Sequence, residues 1–222
     1  MAVTTTDEIR QKVMERLEED SRIEAATIQV EIEEHRVLLR GSAPSFAALV
    51  AAEEDARGAE GVQSVENQLH IELSAERQRP DEEIRATIGT ALELVLLPQA
   101  PSSDIELIVA EGVVRLRGAV PTLWIKRRAF ELAILARGVR QVHNELRVSP
   151  SERVEDEELS RRLRLMAERF RSKTPGALEI SVRQGAVFLS GTVENNQSLV
   201  EIEEGLSRVS GVRSLQSRLY IP

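Results

Sequence analysis

Apolar residues recur along this chain with two alternating periods. A run with spacings of three and four comes first, at Ile9, Val13 and Leu17, then at Ile84, Ile88 and Leu92, and then at Leu159, Leu163, Met166 and Phe170. Such spacing puts side chains on one stripe and predicts an amphipathic helix. Acidic residues crowd each start (Asp7-Glu8, Asp81-Glu82-Glu83, Asp156-Glu157-Glu158), where carboxylates favour the positive end of the helix dipole. Pro98 and Pro101 predict the end of the second copy, and Pro175-Gly176 that of the third. Alternation with period two follows, at Ile28, Val30, Ile32, at Ile105, Leu107, Val109 and at Leu178, Ile180, Val182, which is the pattern of a half-buried strand. After a short polar turn (Glu34-His35, Glu111-Gly112, Gln184-Gly185) the chain returns as Val37-Leu39, Val114-Leu116 and Val187-Leu189, predicting a hairpin. A second helical stripe comes next, at Leu49, Ala52, Ala56 and at Leu199, Ile202, Leu206. Pro44-Ser45 and Pro121-Thr122 open two copies of that helix. A last strand carries Leu69 and Ile71, Leu146 and Val148, or Leu219 and Ile221.

The order is therefore α-β-β-α-β, three times over. A glycine closes the returning strand at Gly41, Gly118 and Gly191, and twenty residues later a Gly-Val pair opens the last strand at Gly61, Gly138 and Gly211. The period of about 75 residues exceeds one turn of a solenoid and matches a small module. The fold class is α+β: three tandem modules, at 1–76, 77–150 and 151–222, each a three-stranded sheet with two helices on one face. A right-handed crossover makes each last strand parallel to the strand before it. Glycine is expected at the strand ends because it admits positive φ or a close backbone approach.

These elements and motifs resemble the BON module, a small bacterial domain. The resemblance rests on L-x-G followed by G-V-x-x-V-x-N-x-L. It is strongest in VRLRGAV and GVRQVHNELRV of the second repeat, and weakest in the third, where Ser217 stands in for Asn67 and Asn144. It implies a non-enzymatic protein, modules in tandem, and attachment to phospholipid membranes or to other envelope partners.

Charge is unevenly placed. The chain carries a net −8, but residues 1–77 hold 17 acids against 8 bases, residues 78–150 hold 9 against 10, and residues 151–222 hold 11 of each. The first repeat should be repelled by anionic surfaces, leaving the other two available to them. Nucleic acid is not an expected partner, because stacking platforms are missing beside the bases. Without cysteine there is no disulfide, thiol nucleophile or Cys-based zinc site. His35, His70 and His143 lack metal-ligand spacing and a triad partner, and no Gly-rich phosphate fingerprint occurs. No catalytic residue, metal or cofactor is expected. MAVTTTDEIRQKV has neither a basic nor an apolar leader segment, so a cytoplasmic protein is expected, or a periplasmic or envelope one if a leader has been removed.

Three surfaces are candidates for binding. Trp124, the one tryptophan, stands beside Lys126, Arg127 and Arg128, as an interfacial anchor for anionic lipid requires; packing between domains explains the same ring. Strand parity places Leu38, Arg115 and Phe188 at one outward position of the three sheets, and His70, Arg147 and Tyr220 at another. With Arg117 this gives a basic patch in the second repeat, for lipid or another anion. Phe188 and Tyr220 form an aromatic pair in the third, for a protein contact between repeats or between chains of a homo-oligomer. The third is the arginine-rich first helix of the last repeat, at Arg161, Arg162, Arg164, Arg169, Arg171 and Lys173, which reads best as a solvated face because Glu157, Glu158 and Glu168 interleave with it. The leading expectation is peripheral association with anionic phospholipid through the second and third repeats; the alternative is a scaffold whose open sheet faces self-associate or dock a protein.

Overall fold

The computed structural model describes residues 5–33, 35–96, 105–150, 154–176 and 178–221. The first repeat runs α1 (Thr6–Glu19), β1 (Ile28–Glu33), β2 (Arg36–Ala43), α2 (Phe46–Gly58), β3 (Ser64–Ile71). The second runs α3 (Asp81–Leu96), β4 (Ile105–Ala110), β5 (Val113–Val120), α4 (Leu123–Ile134), β6 (Gln141–Asn144), β7 (Arg147–Val148). The third runs α5 (Asp156–Ala167), β8 (Glu179–Arg183), β9 (Ala186–Thr192), α6 (Asn196–Ser207), β10 (Ser214–Tyr220). The fold is thus α+β, three tandem modules of one design.

Each sheet has the returning strand in its middle, in the orders β1-β2-β3, β4-β5-β6 and β8-β9-β10. The hairpin strands β1–β2 and β8–β9 are antiparallel, and β2–β3 and β9–β10 are parallel, as a helical crossover demands. By contacts the chain divides into two compact units, residues 1–88 with 109–114 and 133–142, and residues 89–108 with 115–132 and 143–222. In the first unit Ile9, Val13 and Leu17 of α1 pack with Val37, Leu39, Leu69 and the alanines of α2. In the second, Leu159 and Leu163 of α5 pack with Val187, Leu189, Ile202, Leu206 and Val212, joined by Leu123 of α4.

Local chemistry fixes where the helices start. Thr5 and Glu8 form a capping box on α1: the Glu8 N–H donates to Thr5 Oγ1 at 3.3 Å and the Thr5 N–H to Glu8 Oε2 at 2.7 Å. Ser45, Thr122 and Asn195 cap the second helix of each repeat by accepting from the N–H three residues on, at 3.1, 3.3 and 2.8 Å. Asp81 and Asp156 reach outward instead. Asp81 accepts the backbone N–H groups of Glu111 and Gly112 at 2.7 and 2.9 Å, and Asp156 those of Gln184 and Gly185 at 2.6 and 3.0 Å. Both turns have two successive residues at positive φ, the primed geometry that suits a two-residue hairpin.

All six repeated glycines, Gly41, Gly61, Gly118, Gly138, Gly191 and Gly211, have positive φ. Gly41 shows the reason best: φ is +116°, and a Cβ there would lie 2.1 Å from the Thr27 carbonyl oxygen.

Several expectations need correction. The last strand of the second repeat is broken into β6 and β7; at the break the Leu146 N–H turns onto Asn144 Oδ1 at 3.3 Å. Ile221 is 45% exposed rather than core, because the β9–β10 register ends at Tyr220 opposite Thr192. Leu38, on the outward parity of β2, is only 3% exposed, so that position is covered in the first repeat. The first helix of the last repeat tightens into a 3₁₀ segment at Glu168–Lys173, leaving Met166 and Phe170 packed on the core only in part. The helix end expected at Pro98 and Pro101 lies outside the described residues.

Candidate functional site

The residues singled out for binding all fall in the second unit. On β5, Arg115 and Arg117 alternate with the buried Val114 and Leu116 and so project from the open face of the sheet. Arg147 on β7 stands in register with Ala119 and joins that face. Arg115 and Arg147 are exposed and have no ion-pair partner among the described residues, while Arg117 pairs with Glu145 at 2.8 Å. The same face of the first sheet is neutralised internally. There Arg36 meets Glu33 and Glu66 at 3.4 and 3.1 Å, and Arg40 meets Glu31 at 2.8 Å.

The structure separates Trp124 from any surface role. Its side chain is 8% exposed, and the Arg208 guanidinium lies 3.8 Å from its ring centroid, a cation–π contact. Arg127 pairs with Glu203 at 3.6 Å and donates to the Leu215 carbonyl at 3.4 Å; Arg128 pairs with Glu131 at 2.9 Å. Lys126 is half-buried, its carbonyl taken by Asn144 at 2.9 Å. Trp124 is thus packed against a neighbouring helix rather than set as an interfacial ring, and Arg127 and Arg128 are ion-paired beside it. Positions three and four apart share a helix face, so Trp124, Arg127 and Arg128 project together, and α6 supplies Glu203 and Arg208 against them.

Phe188 and Tyr220 are 42% and 61% exposed on the open face of the third sheet. They lie two register steps apart, Phe188 beside Gln216 and Tyr220 beside Thr192, with Arg218 and Ser190 between. The arginine-rich run of α5 and the 3₁₀ segment after it is mostly paired: Arg161 and Arg162 bond Glu158, Arg171 bonds Glu168, and Lys173 bonds Glu201. Arg164 and Arg169 are left exposed.

Two polar features escaped sequence reasoning. Asn67 and Asn144 bridge the last strand to the second helix, donating to the carbonyls of Leu49 and Lys126 at 3.1 and 2.9 Å. Ser217 at the same place is too short for that bridge, and its Oγ is buried without a partner; the recurring Asn was visible in the repeat, its task was not. The other is a carboxyl pair in the first unit. Asp20 is held by Arg22 at 2.5 Å, which lowers its pKa. Burial, and then the Asp20 charge, raise that of Asp55. Among the described residues no group donates to the buried Asp55 Oδ2, and Arg16 stands 4.0 Å from its other oxygen. Among the described residues no group of three or more His, Asp or Glu is placed to hold a metal, and no helix is long and apolar enough to cross a membrane.

The chain is similar to known proteins. The family model described as BON domain matches residues 5–72, 80–150 and 156–221. Osmotically-inducible protein Y of Escherichia coli K12 is 29% identical over 141 residues, 63% of this chain and 70% of that protein. The C-terminal domain of CdsD, the structural protein of the type III secretion system of Chlamydia trachomatis, is 13% identical, with 96% of each chain covered and a TM-score of 0.28. The periplasmic domain of the type III secretion inner membrane protein PrgH from S. typhimurium is 11% identical, with 88% of this chain and 99% of that one covered and a TM-score of 0.23. At such scores the two structural likenesses carry no argument.

Proposed function

The chain belongs to the BON domain family, carrying three copies of the domain, and from that premise we propose a non-catalytic binding protein that adheres to anionic phospholipid surfaces. The adhesive element is the open sheet face of the second repeat, through Arg115, Arg117 and Arg147, with Arg164 and Arg169 of the third repeat as secondary contacts. The modules act as units bounded at 1–76, 77–150 and 151–222. The relative is named for osmotic induction; we extend this to an expectation that the present protein is made under envelope or osmotic stress.

The observation that supports the reading is the pair of exposed arginines, Arg115 and Arg147, which have no ion-pair partner among the described residues, on a face that the first repeat neutralises. Each base near an anionic surface contributes about 1 kcal/mol, so adhesion is weak and reversible. Co-sedimentation with phosphatidylcholine vesicles, with and without phosphatidylglycerol, tests it. Binding is expected only to the anionic vesicles and is lost in about 0.5 M salt. The double change Arg115→Gln/Arg147→Gln should weaken it roughly 30-fold, at about 1 kcal/mol per base. Equal binding to neutral vesicles, or indifference to salt and to the double change, overturns the reading.

A further inference from the structure

We propose that the open face of the third sheet is a self-complementary surface that pairs two copies of this chain face to face, with the two-fold axis lying along β9. This goes beyond lipid adhesion and uses a different repeat.

The face is built from rows running across three strands. In one row Arg218 on β10, Ser190 on β9 and Glu179 on β8 stand side by side; in the next, Gln216, Phe188 and Ser181 do. All six project from the side opposite the core residues Leu189, Ile180 and Leu219. The row through Ser190 carries a cation at one end and an anion at the other. Arg218 is exposed and has no ion-pair partner among the described residues, and Glu179 accepts the Ser190 hydroxyl at 3.3 Å.

A two-fold axis in the plane of contact and along β9 maps each edge strand onto the opposite edge strand of the other copy. Arg218 then faces the other copy's Glu179, and Glu179 its Arg218. Phe188, on the axis, meets its own counterpart. Gln216 faces the other copy's Ser181, so the next row pairs polar with polar. An isologous contact needs this kind of self-complementarity, and it excludes a shift by one row, which would leave the charges facing Ser181 and Gln216. The apolar centre has a parallel within the chain: Leu38, the equivalent of Phe188, is buried in the first repeat. Phe188 is open, and a second copy supplies its cover.

The patch is small. Three strands about 4.8 Å apart and about seven residues long at 3.3 Å each give roughly 300 Å² per copy, about 600 Å² in all against the roughly 1,200 Å² of a stable interface. Association is therefore weak, with a dissociation constant on the order of 100 µM or more.

Sedimentation equilibrium of the full chain without lipid tests the proposal, from a few micromolar to about 1 mM. The mass should rise from 24.7 kDa toward twice that value. Phe188→Ser should abolish the rise. Arg218→Glu alone and Glu179→Arg alone should each abolish it, because each sets like charges against one another across the axis. An equimolar mixture of those two variants should restore it, as should the double variant. All three residues are exposed, so circular dichroism should show unchanged folding. A monomer throughout, or a dimer indifferent to Phe188→Ser and to the charge exchanges, overturns the proposal. So does a monomer whose Phe188 and Tyr220 are instead needed for vesicle binding, which would hand this face to lipid. Because Arg115 and Arg147 are untouched, failure here leaves vesicle adhesion through the second repeat standing.

Discussion

Arg208, the residue that caps the end of α6, lies over Trp124 with its Cζ 3.8 Å from the ring centroid, and this contact fastens α4 to α6. A buried indole under a guanidinium cannot also lie among headgroups. As the chain has one tryptophan, its fluorescence reports this site alone. The emission maximum is expected to stay unchanged when anionic vesicles are added, even at full binding. Trp124→Ala should cost about 3 kcal/mol, as truncation of a buried large aromatic does, read by urea unfolding. A blue shift on vesicle addition would contradict the packing role.

Ser217 leaves a buried hydroxyl unpaired where Asn67 and Asn144 span to a helix carbonyl. Ser217→Asn should give the third repeat the same bridge, to the carbonyl of Leu199, and stabilise it by about 1 kcal/mol. Asn144→Ser should cost about 1 to 3 kcal/mol, since the Lys126 carbonyl and the Leu146 N–H both lose their partner. Thermal unfolding of the two variants against the parent reads both signs.

Asp55 makes stability depend on pH in a direction opposite to Asp20. Its folded pKa is raised by burial and by Asp20, so the folded state holds more protons than the unfolded state between the ordinary carboxylate value and the raised one. Stability from Asp55 is then present below the unfolded pKa and lost as pH rises through the folded one. Asp20, lowered by Arg22, contributes above its unfolded pKa and loses that contribution as pH falls. Asp55→Asn should raise the melting temperature at pH 7, where the amide can donate to Asp20, and leave the mildly acidic range little changed. A lower melting temperature at pH 7 would show that the Arg16 contact outweighs the buried charge.

Two glycines should respond oppositely to alanine. At Gly41 a methyl group meets the Thr27 carbonyl at 2.1 Å with φ at +116°, so Gly41→Ala should cost about 3 kcal/mol or more. Gly89 lies within α3, and a methyl group added there would meet nothing within 4 Å. Gly89→Ala should therefore stabilise by about 0.5 to 1 kcal/mol. Denaturant midpoints decide both.

Architecture was legible because each module states it in periodicity, and the module is stated three times. Ile9, Val13 and Leu17 and their counterparts mark the buried stripes, and the glycines mark backbone that no other residue could adopt. The site was legible only in part. Arg115, Arg117 and Arg147 follow from strand parity, which a local pattern contains. Trp124 does not, because what covers a helix face is set by a helix some eighty residues further on. Leu38 fails for the same reason: parity tells which side a residue leaves the sheet, not whether that side is covered. Asp55 gave no signal at all, since a carboxylate within an acidic run looks solvated until its neighbours are placed.

The aspartates that open α3 and α5 grip their hairpin turns some thirty residues downstream, by two backbone N–H groups each. The first repeat has Thr6 at that position. Among the described residues, the turn there keeps the forward tie that all three repeats share, the His35 carbonyl accepting the Gln63 N–H at 2.9 Å as Gly112 accepts Arg140 and Gly185 accepts Arg213, and adds His35 Nδ1 at 2.9 Å from the Gly61 carbonyl oxygen. On a chain emerging from the ribosome these are different schedules. The second and third hairpins can lock onto a helix already made. Among the described residues the first turn shows no such grip, and it is expected to be held later relative to its own synthesis than the turns of the other two.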